Sequence, residues 1–227
     1  MSAVAAGTGR GAITDDGCAV ELYLHFPHRG EADLVHAAVP PGSTILDLGS
    51  GVGRIAHPLI ELGHPVTAVD SSAEMLAHVR RAETVQSSIA ELDLGRTFDV
   101  VLMASHLVNT ADDAARRGML AAAARHLTAG GLLVAELYPA GWFDVAAVGS
   151  GGSIGDVRAE LVEVHRNADV VSATVRYRLD DELWTQTFSA RRIDEAALRG
   201  EVARAGFAFE QWLAADRSWC LARRTGP

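Results

Sequence analysis

Lysine is missing altogether, so all 20 basic residues are arginine, and 29 acidic residues leave a formal charge of −9. A protein that grips nucleic acid by its phosphates shows a basic face or stripe. Here the pairs Arg80-Arg81, Arg116-Arg117, Arg191-Arg192 and Arg223-Arg224 are scattered among acids, and no nucleic-acid partner is expected. Cysteine is almost missing too. Cys18 and Cys220 are too few for a disulfide framework and have no metal-ligand spacing, which fits a reduced, cytoplasmic compartment. No apolar run approaches the ~20 residues a spanning helix needs, so no membrane partner is expected either. Residues 1–17 are small, polar and glycine-rich, without the apolar centre of a secretory signal, and read as a flexible tail.

What is present is a core. Hydrophobic residues are 48% of the composition, enough for one domain over residues 18–227 with a sheet buried between helices. Short apolar runs at Thr44–Leu48, Val66–Asp70, Thr84–Gln86, Phe98–Met103 and Leu132–Leu137 alternate with helical patterns at Arg54–Leu62, Ala73–Arg81 and Ala111–Leu127. That order predicts strand–helix units and a parallel sheet. Gly63 and the pair Gly130-Gly131 are expected to end two of the helices. Beyond Tyr138 the period changes: Val171, Ala173, Val175, Tyr177 and Leu179 alternate with polar residues, and Asp180-Asp181 turns the chain into a second strand, Leu183–Arg191. Antiparallel pairing is expected there. A helix from Asp194 to Ala205 and strands at Phe207–Leu213 and Ser218–Arg223 follow.

The segment Ile45-Leu46-Asp47-Leu48-Gly49-Ser50-Gly51-Val52-Gly53-Arg54 is a buried strand, a glycine-rich turn and a helix start. Glycines let a ligand approach the backbone, and a helix N-terminus offers free N–H donors. Asp70 closes the next strand about 20 residues after the glycines, where an acid can accept both hydroxyls of a ribose. The third glycine of the dinucleotide fingerprint is replaced by Arg54, which argues against a nicotinamide-dependent oxidoreductase.

The order D-x-G-x-G-x-G-R from Asp47 to Arg54 resembles the first motif of class I S-adenosylmethionine-dependent methyltransferases of the small-molecule branch. The resemblance covers roughly Tyr23 to Tyr138, with His126–Val134 as its late helix, glycine-pair and strand motif. It implies an α/β, Rossmann-like, doubly wound fold with a mostly parallel seven-stranded sheet and an antiparallel insertion at residues 139–192 acting as a substrate lid. It also implies a cofactor site of Asp47, Gly49, Ser50, Gly51, Arg54, Asp70, Ser71, Met75, Ser88, Ile89 and Met103. In that site Asp70 holds the ribose, Ser71 to Leu76 packs on adenine under Met75, and Ser88 stands where the family commonly has an aspartate for the adenine amine. Arg54 either binds the methionine carboxylate or pairs with a surface acid.

Several branches are excluded by what the motif positions lack. After the fourth strand the chain reads Met103-Ala104-Ser105-His106-Leu107, which offers neither the proline pair of nucleobase amine methylation, nor a nucleophilic cysteine, nor metal-binding carboxylates. No metal is expected. Ligands bind outside the carboxyl ends of parallel strands, which selects Tyr23 and His25, His106, and Glu136 as candidate catalytic residues, one of them a general base. The expected activity is methyl transfer from S-adenosylmethionine, leaving S-adenosylhomocysteine, to N, C or O of a small secondary metabolite, aromatic or indole-bearing. The expected assembly is a monomer or homodimer. A non-catalytic cofactor-binding regulatory subunit is the alternative outside enzymes.

Overall fold

A computed structural model describes residues 5–139 and 141–226. In chain order its strands are β1 (Ala6–Thr8), β2 (Ile45–Leu48), β3 (Val66–Asp70), β4 (Glu83–Gln86), β5 (Phe98–Met103), β6 (Leu127–Glu136), β7 (Gly151–Ile154), β8 (Val157–Asn167), β9 (Val170–Leu179), β10 (Glu182–Arg191), β11 (Phe207–Trp212) and β12 (Trp219–Arg224). The α-helices are α1 (Val20–Leu24), α2 (Glu31–Ala38), α3 (Ala56–Glu61), α4 (Ala73–Leu76), α5 (Asp113–Arg125), α6 (Trp142–Val145) and α7 (Glu195–Arg204). The chain divides into two compact units, where the sequence pattern implied one domain with an insertion.

The first unit joins residues 5–27 to Gly141–Arg192. It is built on a five-stranded sheet in the order β1-β10-β9-β8-β7, antiparallel throughout. The expected hairpin is there: Leu179 pairs with Glu182 across a two-residue turn in which Asp180 has a φ of 50°. Strand β8 is absent from the sequence reading because a bulge between Leu161 and Glu163 breaks its period of two. The expected tail is corrected in part. Ala6–Thr8 pairs with Thr185–Thr187, since the bare edge of β10 offers main-chain partners that small residues can reach; residues 1–4 lie outside the described chain. Trp184, Leu22, Ala19 and Val157 form this unit's core.

The second unit holds residues 28–139 and 193–226 around a seven-stranded sheet in the order β11-β12-β6-β5-β2-β3-β4. Strands β6, β5, β2, β3 and β4 run parallel, and β12 and β11 pair antiparallel at one edge. Alternation along the strands makes two apolar layers. Leu46, Leu48, Val101, Met103 and Leu133 pack towards α5 and α7. Ile45, Val100, Leu102 and Val134 pack towards α2 and α3. Burial on both faces is why these strands read as nearly continuous apolar runs.

Two helix ends differ from expectation. Helix α5 stops at Arg125 and the chain enters β6 at once, so Gly130 and Gly131 lie within the strand and are not its stop. Helix α4 is a single turn, capped by Ser72 Oγ on the Met75 N–H at 3.1 Å, not a helix to Arg81. Asp112 and Asp194 cap α5 and α7 in the same way. No helix among the described residues is long and apolar enough to cross a membrane.

Candidate functional site

The chain passes from β2 to β3 to β4 on one side of the sheet, then crosses to β5 on the other side of β2. The gap beyond the carboxyl ends of β2 and β5 is therefore the switch in strand order, the place where parallel sheets bind ligands. Register brings the candidates there. Leu48 pairs with Val69 and Met103, and Met103 with Ala135, so Gly49, Asp70, Ala104 and Glu136 leave the sheet in one row.

The glycine turn is anchored and open. Gly49 and Ser50 donate their N–H groups to the Val69 carbonyl at 2.8 and 2.9 Å. Gly49 and Gly51 have φ of 71° and 54°, left-handed values that side chains disfavour. A Cβ on Gly49 would meet Leu107 at 3.3 Å and Ile89 at 3.8 Å, and one on Gly51 would lie 3.9 Å from the Met75 sulfur. Met75, Ile89 and Leu107 thus form an apolar wall facing the bare backbone. The buried Ser50 Oγ has no hydrogen-bond partner among the described residues. A cradle free of Cβ atoms, an apolar wall and an orphaned hydroxyl fit a ligand with an apolar ring and a polar tail, as S-adenosylmethionine is.

Asp70 closes β3 beside this turn. Its Oδ2 accepts the Gly51 N–H at 2.8 Å and its Oδ1 the Ser72 N–H at 2.9 Å. Ser71 is exposed, its carbonyl accepting from Gln86 at 3.2 Å. Ser88 is exposed, and its hydroxyl donates to Glu91 at 2.8 Å, so only its acceptor capacity is spare. The Met103 side chain is wholly buried in the core layer with α5, and its main chain closes β5 at the switch. Asp47, on the opposite face of β2 from Leu46 and Leu48, is buried, and desolvation pushes its carboxyl up to about 7 against the pull of Arg54.

Arg54 is not free for a ligand carboxylate alone. Its Nη1 is bonded to Oε1 of Glu31, the first residue of α2 and only 6% exposed. Glu31 Oε2 also accepts the Arg29 N–H at 2.6 Å. The acid expected on the surface is thus a buried one, and the sequence reading did not single it out. The available signal was spacing, since Glu31 stands four residues before Val35 on the buried face of α2.

Beyond β5, Ser105 and His106 both have positive φ, 54° and 61°, in succession. Strain of this kind in non-glycine residues gathers at functional sites. It turns the His106 ring over Tyr138, with centroids 3.8 Å apart, and sets Nδ1 3.9 Å from Glu136 Oε1. That is too long for a hydrogen bond, and Nδ1 is buried without one among the described residues. Burial, then Arg29 and Arg54, push His106 down to about 3, so the ring is neutral. Glu136 accepts the Ser105 N–H at 2.7 Å through Oε2, and desolvation raises its carboxyl above the usual range.

His106 and Glu136 are therefore brought together with Asp70 and the glycine turn at one sheet edge. Tyr23 and His25 belong to the first unit. There the Tyr23 hydroxyl accepts a bond from Cys18 Sγ at 3.1 Å, and burial raises its pKa well above the usual value. His25 is exposed, 6.4 Å from the Trp184 ring.

Residues 45–131 match a family model described as a methyltransferase domain. Among curated proteins, the chain is 36% identical over 97 residues to a cypemycin N-terminal methyltransferase of a Streptomyces species, covering 40% of each chain. It is 28% identical over 174 residues to a dTDP-3-amino-3,4,6-trideoxy-alpha-D-glucopyranose N,N-dimethyltransferase of Streptomyces venezuelae, covering 68% of this chain and 73% of the relative. A solved S-adenosylmethionine-dependent methyltransferase of Clostridium acetobutylicum superposes with a TM-score of 0.73 at 16% identity, over 90% of this chain and 95% of that one. The match to the cypemycin enzyme thus spans less than half of that enzyme's length. Residues 45–131 thus match the methyltransferase-domain model, and the chain shares its fold with that solved S-adenosylmethionine-dependent methyltransferase.

Proposed function

We propose that this protein transfers a methyl group from S-adenosylmethionine to an amine nitrogen of a small molecule. The observation that carries the reading is the neutral His106 ring, its Nδ1 buried without a partner 3.9 Å from Glu136, beside the glycine turn and Asp70. Two relatives are named for methylation of nitrogen, one an N-terminal methyltransferase and the other an N,N-dimethyltransferase of an amino sugar. S-adenosylmethionine supplies a sulfonium-bound, electrophilic methyl. Asp70 would accept the ribose hydroxyls, Met75, Ile89 and Leu107 would pack on the adenine, and the glycine turn with Ser50 would hold the amino-acid end.

An alkylamine arrives as an ammonium ion and must lose a proton before its lone pair can attack carbon. His106 is in the acceptor form to take that proton. Glu136, 3.9 Å from Nδ1, lies near enough to stabilise the imidazolium that forms, though not to take its proton directly. The amine nitrogen gains the methyl, the carbon–sulfur bond breaks, and S-adenosylhomocysteine leaves. The test is a mass-spectrometric screen of amino sugars, peptide N-termini and phenols with S-adenosylmethionine. Methylation of phenols with amines untouched would overturn the choice of nitrogen. Tyr23→Phe and His25→Ala belong in the same kinetic series as comparisons for His106→Ala.

A further inference from the structure

We propose that Glu31 is a positioning residue: its buried carboxylate clamps Arg54 of the glycine turn to the main chain at Arg29 and thereby sets the net charge beside His106 and Glu136. The proposal rests on the methyltransferase reading above and goes beyond it. The Glu31 side chain is 6% exposed and that of Arg54 18%, so neither charge is solvated enough to stand alone. Oε1 takes the guanidinium of Arg54, with Arg29 Nε 3.7 Å away, and Oε2 takes the Arg29 N–H at 2.6 Å. Both oxygens are thus committed to segments that border the site. Glu31 also opens α2, where the positive end of the helix dipole favours an anion.

Arg54 is the common element in the electrostatics of the site. Its charge acts on Asp47, His106 and Glu136, and Arg29 adds to it at His106 and Glu136. Glu31 opposes that charge, raising Glu136. Without it, two arginines stand uncompensated at the switch and one of them loses its mooring. The acids then hold protons less tightly, and a guanidinium that had been fixed must be ordered by each ligand that binds.

The test compares wild type with Glu31→Gln, Glu31→Asp, Arg54→Gln and the double variant, by S-adenosylhomocysteine titration calorimetry, thermal unfolding and the pH profile of kcat. Glu31→Gln should weaken S-adenosylhomocysteine about tenfold or more and move the acid limb of the profile to lower pH. Glu31→Asp, which keeps the charge, should restore most of the profile. The double variant should bind no worse than Arg54→Gln alone, because the clamp has nothing left to hold. If Glu31→Gln does not fold, Glu31→Asp and Arg54→Gln carry the comparison. A lowered melting temperature with affinity and pH profile unchanged makes Glu31 a structural anchor only and overturns the proposal. No binding of S-adenosylhomocysteine by wild type overturns the reading beneath it, and the proposal with it.

Discussion

Replacing Asp70 by alanine is the most direct trial of the proposed cofactor site, because the structural role of that carboxylate and its proposed binding role are read by separate measurements. It accepts main-chain N–H groups from Gly51 at 2.8 Å and Ser72 at 2.9 Å, stapling the glycine turn to the start of α4. On the proposed reading it also accepts the ribose hydroxyls of the cofactor. Hydrogen bonds to a charged acceptor are worth roughly 1.5–3 kcal/mol each, but water replaces part of that at a half-buried rim. The loss in S-adenosylhomocysteine binding should therefore be about 1–3 kcal/mol, or about 5- to 150-fold in Kd. The staple fails as well, and a cost of about 1 kcal/mol lowers Tm by roughly 2–4 °C in a chain of this size. Calorimetric titration of the variant, with its melting curve as proof of folding, reads both numbers. A folded Asp70→Ala protein with the wild-type Kd would remove Asp70 from the site and refute the reasoning.

Other substitutions separate chemistry from stability. His106→Ala should lower kcat about 10²–10⁴-fold with S-adenosylhomocysteine affinity near wild type, and a fall of less than tenfold would leave catalysis to positioning alone. Ser50→Ala removes a buried hydroxyl with no partner among the described residues, so Tm should hold or rise while S-adenosylhomocysteine binds more weakly; a lowered Tm with unchanged affinity would contradict this. Asp47 has its carboxyl raised from 3.8 to about 7, so wild type is favoured fully below the lower value and loses that stability as pH rises through the upper one. Asp47→Asn should therefore gain in Tm relative to wild type between pH 4 and about 7 and keep a constant gain above, measured by melting curves across pH.

The fold of the second unit was legible in sequence because each of its parallel strands is buried on both faces. A buried strand between amphipathic helices has few other readings, and Ile45–Leu48, Val66–Asp70 and Phe98–Met103 follow it. The glycine turn and Asp70 were legible for a related reason: their chemistry is local, a turn and an acid fixed by backbone geometry one strand apart. The β1 edge strand and the bulged β8 were not, because pairing to an edge and a shifted register depend on residues far off in the chain. The same limit hid Glu31. Its helix position marked it as an inward-facing residue, but only packing decided that Arg54 lay within reach and that the pair would be shut away from water. It was also the tertiary structure that turned His106 into a left-handed conformation against Tyr138 and left its Nδ1 near Glu136, because strain and burial arise from surrounding contacts that no sequence spacing encodes.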